Sequence, residues 1–129
     1  MSTINDEPRE TLTDGRPVTP DHREIDPQTG MQKGYVVLSE EERAKGFVRP
    51  VRRTYIHVGT DPEMSGHVLI RPGKGGCGTR TTMGLAIAET YARDPQFYSG
   101  TFCVHCREHF PVGPNGQFVW EGTTEKVGT

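Results

Sequence analysis

Two cysteines separated by two residues, Cys103 and Cys106, limit most strongly what this chain folds into. Two thiolates at that spacing can share one tetrahedral metal ion, and a C-x-x-C pair that leads into a hairpin is half of a zinc ribbon. Residues 109–112 and 117–120 predict two short strands, and residues 113–116 supply Pro and Asn-Gly turn signals between them. The remaining two ligands of such a site must come from elsewhere in the chain.

The composition favours a fold that a metal ion stabilises. Only 32% of the 129 residues are hydrophobic, and the chain contains 16 Gly and 10 Pro. A chain of this kind buries a small core, and a bound metal compensates for that deficit. The cysteine count is 3, which suits a mixed Cys/His metal site in a reducing compartment better than a set of disulfides.

Cys77 is the predicted third ligand, and a histidine completes the set. We select His57, because it ends a predicted strand and because omitting residues 59–76 would bring it close to Cys77. His109 is the rival, since a C-x-x-C-x-x-H run can converge on one metal if the chain tightens there. His105 inside the knuckle and His67 on a later strand are more simply explained as surface or strand residues. The predicted zinc ligands are therefore His57, Cys77, Cys103 and Cys106.

Three enzymatic or redox interpretations of the sequence are less well supported than a structural zinc site. A thioredoxin-type dithiol needs a helix directly behind the first cysteine, but residues 107–112 contain Pro111 and lead to a turn. Residues 73–79 are glycine-rich but lack the order of a phosphate-binding loop. A zinc hydrolase needs an open coordination position and a general base, and Glu108 is the only acidic residue near the knuckle. We therefore expect no catalytic residues and no enzyme.

The N-terminal 33 residues are predicted to form an extended or disordered acidic arm. They carry seven acidic and four basic residues and are interrupted by four prolines, and they show neither a helical nor an alternating apolar period. Residues 34–129 then form the predicted zinc-ribbon-like domain. A segment without a core of its own can wrap a partner when it becomes ordered, so the arm is the expected contact with a protein partner.

Local patterns in residues 34–129 predict a small α+β fold. Residues 53–58 and 67–71 are rich in β-branched residues and predict strands, with a turn over residues 59–66. Ser39, with a glutamate three residues later, predicts the start of a short helix. The strongest helix is predicted over residues 83–93, capped by Thr81 or Thr82, with an apolar face at i, i+4 and i+8. The expected architecture is a ribbon of short antiparallel strands with one main helix packed across it.

Charge and hydropathy limit the kinds of partner that this chain is expected to bind. The formal net charge is −2, which argues against a general binder of polyanions. No apolar run is long enough to span a membrane, and the N-terminus lacks the pattern of a signal peptide, so we expect a cytoplasmic protein. A mildly basic stripe nevertheless lies in the middle of the chain and leaves nucleic-acid binding open; it consists of Arg49, Arg52, Arg53, Arg71, Lys74 and Arg80.

The combined pattern resembles a group of small uncharacterised proteins encoded by tailed phages and prophages. The segments that resemble them are His57, residues 77–83, 88–95, 97–98, 101–106 and 109–112, and residues 118–120. The resemblance covers roughly residues 50–129 and implies a zinc-finger-like protein of viral origin, with no activity attached.

We accordingly expect a non-enzymatic, zinc-stabilised structural or interaction protein. In that hypothesis it is a phage accessory or virion-associated protein, present in the host cytoplasm or the virion, whose arm binds a protein partner or viral assembly. The alternative is a zinc-ribbon protein that binds nucleic acid or the transcription machinery.

Overall fold

Short strands and two helices alternate along residues 9–129, the part of the chain that the computed structural model describes. The elements in chain order are β1 (Glu10–Leu12), β2 (Val36–Leu38), α1 (Glu40–Arg43), β3 (Thr54–His57), β4 (Glu63–Ser65), β5 (Val68–Arg71), β6 (Arg80–Thr82), α2 (Leu85–Arg93), β7 (Gly100–Cys103), β8 (Glu108–Pro111) and β9 (Phe118–Trp120). The predicted class, a mixed α+β fold with small antiparallel sheets, is confirmed.

A three-stranded antiparallel sheet, in the order β6–β3–β9, lies at the centre of the fold. In β3 the side chains alternate, so that Tyr55 and His57 are buried while their neighbours are half-buried. Tyr55 pairs with Trp120 and His57 pairs with Phe118 on β9. This period of two follows from the pleat of a strand, and it directs His57 into the interior.

Helix α2 closes one side of the core, as predicted for residues 83–93. Its buried Tyr91 makes an edge-on contact with Trp120, at 5.6 Å between ring centroids. The predicted threonine caps are wrong: Gly84 is the N-cap and makes no side-chain capping bond, and Thr82 belongs to β6. The threonines instead continue the sheet, because β6 pairs with β3 over those residues.

The short helix α1 begins as the sequence predicts. The Ser39 hydroxyl accepts a hydrogen bond from the Glu42 amide at 3.2 Å, which satisfies one free donor of the first turn. Neither helix in the described residues is long and apolar enough to cross a membrane.

The extended arm predicted for residues 1–33 is not confirmed over residues 9–33, and residues 1–8 lie outside the described residues. Strand β1 pairs with β2 in antiparallel register, with Thr11 opposite Val37. Strand β2 is in turn attached to α2, because the amide of Leu38 donates to the hydroxyl of the buried Thr90 at 3.1 Å. Backbone pairing of this kind, which a sequence without an apolar period does not reveal, fixes the segment to the domain.

The hairpin predicted between residues 109–112 and 117–120 is wrong, although both strands exist. Strand β8 pairs with β7, and the pairing extends as far as Cys103 opposite Glu108. Strand β9 pairs with β3 instead, which buries Phe118 and Trp120 beside Tyr55. The predicted turn does form, since the Gly116 amide donates to the Gly113 carbonyl at 2.9 Å. It does not pair the two strands with each other, because burial of two large aromatic side chains favours the pairing of β9 with β3.

A hairpin formed by β4 and β5 extends from the rest of the molecule. Residues 59–66, predicted as a turn, contain β4, and every residue of both strands is exposed. Four large apolar side chains of this hairpin are at least half exposed; they are Met64, Val68, Leu69 and Ile70. Two-stranded hairpins are at best marginally stable alone, so these side chains contribute little to the folded core.

Two leucines, one in the folded core and one in the exposed β4–β5 hairpin, provide a matched test of how much each region contributes to stability. Leu38 is 1% exposed and Leu69 is 54% exposed. Leu38→Ala should lower the free energy of unfolding by about 2–4 kcal/mol, because it leaves a cavity in a packed site. Leu69→Ala should change it by less than about 0.5 kcal/mol. Urea denaturation in zinc-containing buffer measures both values, and a large loss in Leu69→Ala would show that the hairpin packs against the core.

Candidate metal centre

The structure brings together the four residues predicted as metal ligands. His57 ends β3, Cys77 lies in the loop between β5 and β6, Cys103 ends β7, and Cys106 lies in the turn before β8. One ligand atom from each residue lies within 4.8 Å of the others. Three segments that are distant in sequence therefore converge on a volume that one ion could fill.

Two of the spacings between ligand atoms are close to those of a tetrahedral zinc site. Zn–S bonds of about 2.3 Å and Zn–N bonds of about 2.0 Å require S–S distances of about 3.8 Å and S–N distances of about 3.6 Å. The Cys77 and Cys103 sulfurs are 3.4 Å apart, and the Cys106 sulfur is 3.6 Å from His57 Nδ1. Three sulfurs and one imidazole nitrogen are also the donor set that zinc prefers over harder cations.

The orientation of His57 suits ligation through Nδ1. Its Nε2 lies 2.8 Å from the side-chain oxygen of Gln117, which accepts the ring proton, and Nδ1 accepts from the Cys77 amide at 3.3 Å. Both contacts select the tautomer whose Nδ1 carries the lone pair, and a bound metal ion would take that lone pair in place of the Cys77 amide. The ring of Phe110 stacks on His57, at 4.5 Å between centroids, so the imidazole has little freedom to rotate.

Gln117 is a residue of the candidate site that the sequence did not identify. It is 5% exposed, and its amide occupies the position from which outer residues usually orient a metal-binding histidine. A glutamine before a strand is ordinarily a surface residue, so nothing in the local pattern indicates this role. It follows from the pairing of β9 with β3, which places Gln117 beside His57.

Close packing between the backbone after β3 and the glycine-rich loop places Cys77 at the site. The backbones of Gly59 and Gly75 form a bridge that closes the base of the β4–β5 excursion. A Cβ atom at Gly76 would collide with the carbonyl oxygen of His57, so only glycine allows this approach. The predicted proximity of His57 and Cys77 across residues 59–76 has this physical basis.

The knuckle contains one backbone irregularity, at Arg107. Its φ is 59°, and its amide donates to the Cys103 carbonyl at 2.8 Å, which closes the turn that holds both cysteines. Arg107 is the sole non-glycine residue with positive φ in the described part of the chain. A side chain in this left-handed region is strained, and glycine is the residue that adopts it freely.

Burial and neighbouring groups act differently on the pKa values of Cys77 and Cys106. Burial acts to raise the pKa of Cys77, but hydrogen bonds from Thr79 and neighbouring contacts outweigh it and lower that pKa to about 6. Burial raises the pKa of Cys106 to about 12, and the adjacent sulfurs of Cys103 and Cys77 add to the shift. Three thiolates this close need a cation between them, and a bound zinc ion would deprotonate all three.

The other histidines considered as ligands lie outside this cluster. His109 points to the opposite side of β8, where its Nε2 lies 2.8 Å from the Tyr35 hydroxyl and its ring packs on Phe102. Burial lowers the pKa of His109, so its neutral form is favoured. His67 and His105 are exposed. The structure therefore groups His57, and not its rival, with the cysteines.

No protein-family model, curated protein or solved structure matches this chain significantly. The chemistry of the site consequently rests on its geometry alone. This geometry allows four protein atoms to hold one ion. An ion bound in this way would link β3, the glycine-rich loop and the β7–β8 turn.

Substitutions at Arg107 test the strain in the knuckle. Arg107→Gly should raise the free energy of unfolding by about 0.5–1 kcal/mol, because glycine adopts a left-handed backbone without a Cβ clash. Arg107→Val should lower it by about 1–2 kcal/mol, because a β-branched residue fits that region worst. Thermal unfolding in the presence of zinc measures both. Equal stabilities for the two variants would contradict the strained conformation.

Proposed function

We propose that this chain is a non-enzymatic structural or interaction protein whose fold is stabilised by a zinc ion bound to His57, Cys77, Cys103 and Cys106. The observation that carries the proposal is the convergence of these four ligand atoms within 4.8 Å of one another. In a protein with so few hydrophobic residues, metal binding adds the folding free energy that a larger hydrophobic core would otherwise provide.

The number of ligands supports a structural role over a catalytic one. Catalytic zinc sites ordinarily use three protein ligands and keep one position for water or substrate. Here four protein side chains would fill every position of a tetrahedral zinc ion, and Cys103 is fully buried. The aromatic rings of Phe110 and Phe118 pack on His57 and make the centre continuous with the core. A zinc ribbon is the architecture that we propose for this arrangement.

The β4–β5 hairpin supports the interaction part of the proposal. Its apolar side chains are exposed and so are not stabilised by burial in the folded domain. Exposed apolar clusters of this kind are typical of binding surfaces. Its charges cancel, because Asp61 and Glu63 on one side are balanced by Arg71 and Lys74 on the other. We therefore propose a protein partner with a neutral, apolar surface, and, from the resemblance to phage proteins, a viral assembly as its setting.

Nucleic-acid binding is less well supported, because the arginines of the basic stripe make contacts within the molecule. Arg52 pairs with Glu125 and lies over the Trp120 ring. The other four arginines likewise contact acidic side chains or backbone carbonyls; they are Arg49, Arg53, Arg71 and Arg80. Charges engaged in this way contribute less to a phosphate-binding surface.

Ligand substitutions test the zinc-stabilised fold. The wild type should contain about one zinc ion per chain, and Cys103→Ser and His57→Ala should lose both the metal and cooperative unfolding, because each removes one of four ligands. Elemental analysis of the purified protein and thermal unfolding followed by circular dichroism provide the two measurements.

His109→Ala is the matched control, since it removes a histidine near the knuckle that lies outside the cluster. It should retain zinc and unfold cooperatively. The proposal fails if the wild type contains no metal and folds regardless, or if His109→Ala loses zinc while His57→Ala keeps it.

A further inference from the structure

The three sulfurs of the candidate zinc centre differ in exposure and in spacing. Cys103 is fully buried, whereas Cys77 and Cys106 are half-buried. The Cys77 sulfur is 3.4 Å from that of Cys103, while the Cys106 sulfur is 3.6 Å from His57 Nδ1. The Cys77 and Cys103 sulfurs are therefore close enough to be joined across the fold, between residues that are 26 positions apart in the sequence.

We propose that the centre is an oxidation-sensitive switch, in which a peroxide joins Cys77 to Cys103 in a disulfide and releases the zinc ion. This inference rests on the proposed zinc-stabilised function and adds its regulation. Its specific content is the choice of partner: Cys77 pairs with Cys103 across the fold, and Cys106 keeps its thiol.

The chemistry proceeds in two steps that need only the peroxide. The Cys77 thiolate attacks one oxygen of hydrogen peroxide and, with one proton taken up, forms a sulfenic acid and water. The Cys103 thiolate then attacks the Cys77 sulfur, which forms the S–S bond and expels hydroxide, released as water after protonation. Two thiolates are oxidised by two electrons, one peroxide is reduced to two waters, and the zinc ion leaves.

Exposure decides which sulfur reacts first. A peroxide molecule reaches Cys77 from solvent, whereas the buried Cys103 is accessible only to the neighbouring sulfur. This is the arrangement of an attacked cysteine beside a resolving cysteine. Cys106 is also half-buried, but it lies between His105 and Arg107 in a tight turn, without the flanking glycines that allow the Cys77 loop to move.

The backbone around Cys77 permits the movement that a bond requires. The two sulfurs must approach by about 1.4 Å to pass from their present contact to a disulfide. Cys77 lies between Gly76 and Gly78, and Gly78 has a φ of 75°. A loop of this composition adjusts at low cost. Once the disulfide forms, His57 and Cys106 alone remain, and two ligands hold zinc too weakly to retain it.

Peroxide treatment of the zinc-loaded wild type tests the switch. A chromogenic chelator follows zinc release, a thiol reagent counts free cysteines, and mass spectrometry of the alkylated, non-reduced digest identifies the linkage. We expect the zinc to be released with the loss of two thiols per chain, a Cys77–Cys103 linkage, and recovery on addition of a thiol reductant and zinc. A Cys103–Cys106 linkage, an intermolecular linkage, or retention of zinc under peroxide would overturn the proposal.

Two variants with the same coordination chemistry sharpen the test. Cys77→His and Cys106→His each leave two cysteines and two histidines, a donor set that still binds zinc. Cys77→His should release zinc about tenfold more slowly under peroxide, because its resolving pair is gone. Cys106→His keeps the Cys77–Cys103 pair and should release zinc faster than Cys77→His does. Equal rates in the two variants would contradict the proposal, and the wild-type linkage decides the matter if a variant does not fold.

The outcomes separate failure of the switch from failure of the zinc-stabilised fold. A purified wild type without zinc would overturn the proposed function, and the switch that rests on it falls with it. A zinc-loaded protein that resists peroxide, or that forms a different disulfide, would leave the structural zinc centre intact and overturn the switch alone.

Discussion

The convergence of one histidine and three cysteines is the constraint on which the rest of the fold depends. His57, Cys77 and the Cys103–Cys106 turn come from three separate segments of the chain, and their ligand atoms lie within 4.8 Å of one another. Without an ion, three adjacent thiols repel one another once ionised. A bound zinc ion would be coordinated by the same side chains and would fix β3 and the β7–β8 hairpin relative to each other.

Around the candidate metal centre, the fold consists of a packed core and an exposed hairpin. The aromatic side chains of the β6–β3–β9 sheet and α2 form one core, and β2 is joined to it through Thr90. The β4–β5 hairpin lies outside the core and is anchored at its base by the Gly59–Gly75 bridge. The same bridge positions Cys77, so the hairpin that we associate with a partner begins and ends beside the metal centre.

Local signals in the sequence predicted the features that depend on a few neighbouring residues. The Ser39 cap, helix α2 and the grouping of His57 with Cys77 follow from spacing and from turn chemistry. The pairing of β9 with β3 could not be predicted in this way, because it depends on which distant partner buries Phe118 and Trp120 best. The role of Gln117 and the attachment of β1 to β2 follow from tertiary packing for the same reason.

X-ray absorption spectroscopy at the zinc edge, on the purified wild type, tests the central claim most directly. A centre formed by His57, Cys77, Cys103 and Cys106 predicts three sulfurs at about 2.3 Å and one nitrogen at about 2.0–2.1 Å. Absence of zinc, or a first shell in which oxygen atoms replace sulfur, would contradict the four-ligand structural site.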